Sequence, residues 1–146
     1  MSYRLIIADD EPKIIELIKQ LGHWQELEIE IIDECHTGKQ AYESITKNNP
    51  DFVLSDIKMP VYDGIELIRK VREIDPEPLF VLISGYRHFE YARSAVSLNV
   101  MDYLLKPIDG KQLNETLVRV CRRIDQLRTR KQQEDEIFSM REERSR

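Results

Sequence analysis

Short apolar runs alternate with amphipathic stretches along the chain. Arg4–Ala8 (RLIIA) reads as a strand, and Glu11–Leu21 follows with Ile14, Leu17, Ile18 and Leu21 at helical spacing. Ile29–Cys35 is an Ile-rich strand, Gly38–Lys47 a helix, and Asn48-Asn49-Pro50 breaks it. Phe52–Ser55 (FVLS) is the third strand, and Gly64–Ile74 is a helix that Pro76 and Pro78 end. Leu79–Ile83 (LFVLI) is the fourth strand, His88–Leu98 a helix with Asn99 as its stop, and Met101–Leu105 the fifth strand. Asp109 can cap a last helix, with Gln112 three residues on as in a capping box. Strands alternating with helices predict a parallel sheet covered on both faces, an α/β fold. The third and fourth strands, nearly all apolar, are expected at its centre.

Length and charge sharpen this picture. The 146 residues suffice for one domain and an appendage. Residues 1–110 hold 12 Lys/Arg against 20 Asp/Glu, and residues 111–146 hold 10 against 7. An acidic body argues against direct nucleic-acid binding by this segment, and the mixed-sign tail reads as a solvated helix. No apolar window is long enough to cross a membrane, and the N-terminus lacks a signal-peptide core. Cys35 and Cys121 form no C-x-x-C, so a reduced, cytoplasmic location is expected.

The chemistry collects at strand C-termini, where ligands of open α/β sheets sit. The first strand ends in Asp9, Asp10 and Glu11, the third in Asp56 and the fourth in Ser84-Gly85; the fifth is followed by Lys106-Pro107. Carboxylates about 4 Å apart repel by roughly 4 kcal/mol per pair at an effective dielectric of 20. They need a counter-charge. Oxygen ligands without His or Cys favour Mg²⁺ over Zn²⁺. Glu11 fits a helix N-terminus equally well. Asp56 beside a metal can be ligand, nucleophile or both. Lys106 can neutralise charge on a transferring phosphoryl group, although a lone Lys after a strand is more commonly a surface residue. Ser84 can donate to a phosphoryl oxygen; Gly85 leaves room for approach or is an ordinary turn glycine. His23, His36 and His88 read as structural or surface residues, and Trp24 as packing. Tyr86, Phe89 and Tyr91 cluster at the start of the fourth helix, as core or as a partner-facing surface.

The constellation resembles the receiver domain of two-component response regulators. Asp9-Asp10, Asp56 in SDIKMPVYDG, Ser84-Gly85, Tyr103 and Lys106-Pro107 carry the match over residues 3–122. Ser84 to Tyr103 is 19 positions and Ser84 to Lys106 is 22, the family's spacing. The resemblance implies a flavodoxin-like doubly wound (βα)5 fold with strand order 2-1-3-4-5 and an extended C-terminal helix. It implies that Asp56 accepts a phosphoryl group from a phosphohistidine on a sensor histidine kinase. Asp10, Asp56 and the Lys58 carbonyl would hold Mg²⁺, with Asp9 acting through water. Ser84, Gly85, Lys106 and Pro107 would bind the phosphoryl group, a cis Lys106–Pro107 peptide turning Lys106 toward Asp56. Tyr103 would switch with Ser84, and Tyr91, Ala95, Leu98 and Tyr103 would form the output surface. Such a chain is a regulator that assists its own phosphoryl transfer and dephosphorylation, not an enzyme.

The stretch SGYRHFEYARSAVSLNVMDYLLKPI is similar to the subgroup with a C-terminal helix-turn-helix domain of the arabinose-regulator type. No such domain lies in residues 1–146, so transcriptional output is expected outside them; a stand-alone receiver acting by protein contacts is the alternative. A Mg²⁺-dependent aspartyl-phosphate phosphohydrolase similar to the haloacid-dehalogenase phosphatases is a third reading, but that family has a second Asp two positions after its nucleophile, where Lys58 stands here. Three departures from the family pattern stand out. Ser84 replaces Thr, Val61 sits where Gly is frequent, and Asn99-Val100 replaces Gly-Ala. The expected division is residues 1–122 as receiver and 123–146 as a helical linker with a coiled-coil or disordered distal part. Leu113, Leu117, Val120, Ile124 and Leu127 form a heptad seam. The last helix is expected to end near Arg130, with Ile124 and Leu127 beyond the body and paired with a second copy. A homodimer through that helix or through the fourth-helix, fifth-strand, fifth-helix face follows as the expected partner, without nucleic acid or membrane.

Overall fold

The strands form where apolar residues can be covered from both sides. The computed structural model describes residues 2–85 and 98–144. Their elements are β1 (Tyr3–Ala8), α1 (Pro12–Leu21), α2 (Trp24–Leu27), β2 (Ile29–Cys35), α3 (Gly38–Asn48), β3 (Phe52–Asp56), α4 (Gly64–Ile74), β4 (Leu79–Ser84), β5 (Asp102–Leu105) and α5 (Gly110–Arg144). The five strands are parallel and ordered β2-β1-β3-β4-β5. This is the flavodoxin-like arrangement with an extended C-terminal helix. Every residue of β3 and β4 is buried, as central strands require.

Alternation along each strand divides the core into two layers. Leu5 and Ile7 of β1 pack with Ile15 and Ile18 of α1 and with Leu113, Leu117, Val120 and Ile124 of α5. Ile6 and Ala8 face the other way, onto Ala41 and Ile45 of α3 and Ile65, Ile68 and Val71 of α4. Strand order reverses between β1 and β3, which opens a crevice at their carboxyl ends.

The helices start where local side chains satisfy their free N–H groups. Thr37 accepts from Gln40 N at 3.0 Å, and Asp63 accepts from Glu66 N at 2.8 Å. Asp109 caps α5 as expected, accepting from Lys111 N at 3.2 Å. Asn49 and Asn99 take positive φ, 47° and 62°, where the breaks were expected. The α2 turn was not foreseen. Four residues are too few to show a period, and the turn depends on Trp24 Nε1 donating to Lys19 O at 2.9 Å.

The last helix departs from expectation twice. It runs to Arg144 rather than to about Arg130; residues 130–144 contain no Gly or Pro and are rich in good helix formers. Ile124 and Leu127 also find their apolar partners in this chain. Ile124 is buried and Leu127 half-buried against the layer that holds Leu5 and Ile7, so neither needs a second copy. Beside them Tyr3 Oη donates to Asp125 Oδ1 at 2.7 Å. Arg128 Nη2 lies 3.1 Å from Asp51 Oδ2 and from Ser2 O, with its guanidinium 5.1 Å from the Tyr3 ring centre. Among the described residues, no helix is long and apolar enough to cross a membrane. The helix expected over His88–Leu98, with His88, Tyr86, Phe89, Tyr91 and Ala95, falls almost wholly outside the described residues; only Leu98 is within them.

Candidate functional site

Four strand ends meet in the crevice. Asp9 follows β1 and is buried completely. Its backbone N–H donates to Cys35 O at 2.9 Å, and its Oδ1 accepts from Glu11 N at 2.9 Å. Asp56, the last residue of β3, is 5% exposed. Asp10 lies beside them at the surface. Asp9, Asp10 and Asp56 each bring one carboxylate oxygen within 4.8 Å of the others. Lys106 reaches in from the end of β5, with Nζ 3.1 Å from Asp56 Oδ2 and 3.4 Å from Asp9 Oδ2. Lys106 N donates to Ser84 O at 2.8 Å, which anchors the backbone from which the side chain reaches, and the Lys106–Pro107 peptide is cis, as expected.

Electrostatics follow from burial. Burial pushes Asp9 up to about 6; the Glu11 N–H and Lys106 oppose it, and the Asp56 charge adds to it. Asp56 is also raised, first by burial and further by Asp10, against Lys106 and the Lys58 N–H. Burial alone would lower Lys106, but the Asp56 and Asp9 carboxylates outweigh it and the net shift is upward. One ammonium thus faces three carboxylates, and the excess negative charge invites a cation.

Two buried atoms sharpen this. Ser84 Oγ has no hydrogen-bond partner among the described residues, and Asp9 Oδ2 makes none there beyond its 3.4 Å ion pair with Lys106 Nζ. A buried polar atom without a partner costs about 1–3 kcal/mol, so Ser84 Oγ suits a ligand, and Asp9 Oδ2 keeps room for a second positive charge. An acceptor on one side and a hydroxyl on the other fit a hard cation and an anionic oxygen, respectively. An all-oxygen donor set fits Mg²⁺. Among the described residues, nothing beyond its chain neighbours comes within 4 Å of where a Gly85 Cβ would be. Tyr103 and Leu98 are half-buried against the α3–α4 layer, and burial raises the Tyr103 hydroxyl.

Sequence reasoning placed Asp9, Asp10, Asp56, Lys58, Ser84, Gly85, Lys106 and Pro107 at this end of the sheet, and the structure brings their segments together there. It missed the residues that shape the crevice from behind. His36 Nδ1 lies 3.3 Å from Asp9 O. Gly38 and Gly64 fit where a Cβ would fall 2.0 Å from Tyr62 O and 2.5 Å from Asp56 O. The Thr37-Gly38 and Asp63-Gly64 pairs, each a helix cap followed by Gly, were the available signal.

The carboxyl edge of a doubly wound sheet thus holds an acidic crevice with a buried strand-end Asp and a facing Lys. Residues 5–118 match the response regulator receiver domain, and the chain belongs to that family. It is 38% identical over 115 residues to the transcriptional regulatory protein YesN of Bacillus subtilis, across 79% of this chain and 31% of that protein. It is 33% identical over 120 residues to the transcriptional regulatory protein HptR of Staphylococcus aureus, across 82% of this chain and 47% of that protein. The chain therefore spans less than half the length of these relatives. Among solved structures it is similar to the REC domain of AraT, a response regulator from Geobacillus stearothermophilus, with a TM-score of 0.84 and 36% identity over 88% of this chain and 99% of that one. The two-component transcriptional regulator AraC from Clostridium phytofermentans is similar at a TM-score of 0.79 and 30% identity, over 86% and 97%.

Proposed function

We propose that this chain receives a phosphoryl group on Asp56 from a phosphohistidine of a sensor histidine kinase, in a Mg²⁺-dependent reaction in the cytoplasm. The observation that carries the reading is the pairing of a buried Asp56 carboxylate with Lys106 Nζ at 3.1 Å, beside two further carboxylates. An Asp56 carboxylate oxygen forms the new O–P bond as the N–P bond to the donor histidine breaks. Lys106 balances the charge carried to Asp56. Ser84 Oγ, buried and unpaired among the described residues, donates to a phosphoryl oxygen. Gly85 keeps the approach open. Asp9, Asp10, Asp56 and the Lys58 carbonyl are the groups that would hold Mg²⁺. The ion, when bound, supplies positive charge to the phosphoryl oxygens in transfer and in hydrolysis.

The chain then acts as a switch and not as an enzyme with an external substrate. Phosphorylation shifts a pre-existing equilibrium, with Ser84 and Tyr103 as the coupled pair and Tyr91, Ala95, Leu98 and Tyr103 as the output surface. The kinship with YesN and HptR supports transcriptional control through a DNA-binding domain outside residues 1–146, with 1–122 as receiver and 123–146 as linker. A second copy is the proposed partner, through the β5–α5 side or the distal part of α5.

Incubation with a small-molecule phosphodonor and Mg²⁺ should add one phosphate to the intact mass. The gain should vanish in Asp56→Asn and in EDTA. A phosphate gain that survives Asp56→Asn rejects the assignment.

A further inference from the structure

The loop that leaves Asp56 contains a backbone outlier. Val61 has φ of 72°, in the left-handed region where β-branched residues are rarely found. Tyr62 N donates to Pro60 O at 3.0 Å. Pro60, Val61 and Tyr62 therefore form a γ-turn with positive φ at its centre, the rare and strained hand of that turn. Val61 is 64% exposed, so burial of its side chain does not offset the strain. Glycine would adopt this conformation freely.

The surroundings hold the turn at three points. Gly38 N, from the start of α3, donates at 3.1 Å to the same Pro60 carbonyl. Its missing side chain lets Tyr62 O approach to a point 2.0 Å from where a Cβ would be. The Tyr62 ring lies 4.6 Å beneath the ammonium of Lys70 on α4, which also sits 5.7 Å from Tyr42 on α3. At the far end, Gly64 N donates to Ile57 O at 2.7 Å. A strained conformation persists where such contacts over-determine it, and such sites cluster at functional centres. Between Asp56 and the strained turn lies Lys58.

We propose that the strained turn at Val61 sets how firmly the metal site is held closed. That turn loads the loop of residues 57–63, so that the cradle around Asp56 and Lys58 stays closed only while Gly38, Tyr62 and Gly64 hold it. The proposal rests on the reading of Asp9, Asp10, Asp56 and Lys58 as the Mg²⁺ site. If one contact is weakened, the strain opens the loop and the binding-competent fraction falls, taking apparent affinity with it.

Val61→Gly removes the strain and keeps the contacts. Tyr62 N–H exchange, corrected for intrinsic rate, should slow by about fivefold or more. Gly38→Ala should loosen the turn, and a Mg²⁺ titration followed by amide shifts should show affinity weakened by about fivefold or more. Val61→Gly added to Gly38→Ala should restore most of that loss, which a merely structural defect at Gly38 would not allow. Unchanged or faster Tyr62 exchange in Val61→Gly, or absence of rescue, overturns the proposal. Wild-type protein that binds no Mg²⁺ overturns the metal reading beneath it, an outcome distinct from Mg²⁺ binding with unaltered exchange.

Discussion

Asp9 is where burial and charge conflict most. Its carboxyl titrates near 6 in the folded chain against an ordinary 3.8. A raised folded value means that its contribution to stability is fully present below about 3.8 and is lost as pH rises through about 6. At neutral pH and without metal, the fold thus carries a charge that it would hold more cheaply as a neutral group. Asp9→Asn in EDTA should be more stable than wild type by on the order of 2–3 kcal/mol at pH 7.5. The gap should shrink toward pH 4.5. Denaturant unfolding at both pH values measures it, and an Asn variant less stable at pH 7.5 would contradict the argument. Residues of this kind were legible in sequence because a polar group ending an apolar strand has few other reasons to be there. Gly38 and Gly64 were signalled only by the helix caps before them, and the φ of Val61 only by its place where Gly is frequent. Their role depends on how closely two distant loops approach, which no local pattern encodes.

At the level of elements, the strands and their order followed from apolar density and from kinship, whereas α2 and the reach of α5 did not. The distal α5 has no apolar stripe to betray it; helix-forming residues and the absence of breakers extend it. The expected boundary near residue 122 came from the extent of the receiver resemblance. Ile124, Leu127 and Arg128 show that the body grips the helix further on. That grip can be tested. Arg128→Ala removes a partly buried ion pair with Asp51 and a ring contact with Tyr3. The expected cost is about 1–2 kcal/mol, concentrated locally. Amide exchange should accelerate across residues 124–144 while β1 and β3 stay protected. Uniform acceleration through the sheet would show that the clasp supports the whole fold and not the helix alone.

For the whole molecule, the long helix decides how copies could meet. Residues 131–144 are exposed and include Ile137, Phe138 and Met140, each more than half exposed. An isolated helix of this length is marginal in water, so pairing would stabilise it. Lys131 and Glu134 occupy the seam and weaken it, and self-association should accordingly depend on concentration. Sedimentation should show a monomer–dimer equilibrium at high micromolar concentration that Phe138→Glu shifts to monomer. Identical behaviour of the two chains would assign the dimer to another face.

The clasp at Tyr3, Asp51, Asp125 and Arg128 also gives the helix the mechanics of a lever. Sixteen residues, 129–144, extend past the fixed point, about 24 Å at 1.5 Å per residue. A tilt of roughly 5° at the clasp moves the far tip by about 2 Å, by the same helical rise. A change too small to see in the body becomes a displacement of about 2 Å at the far end of the helix.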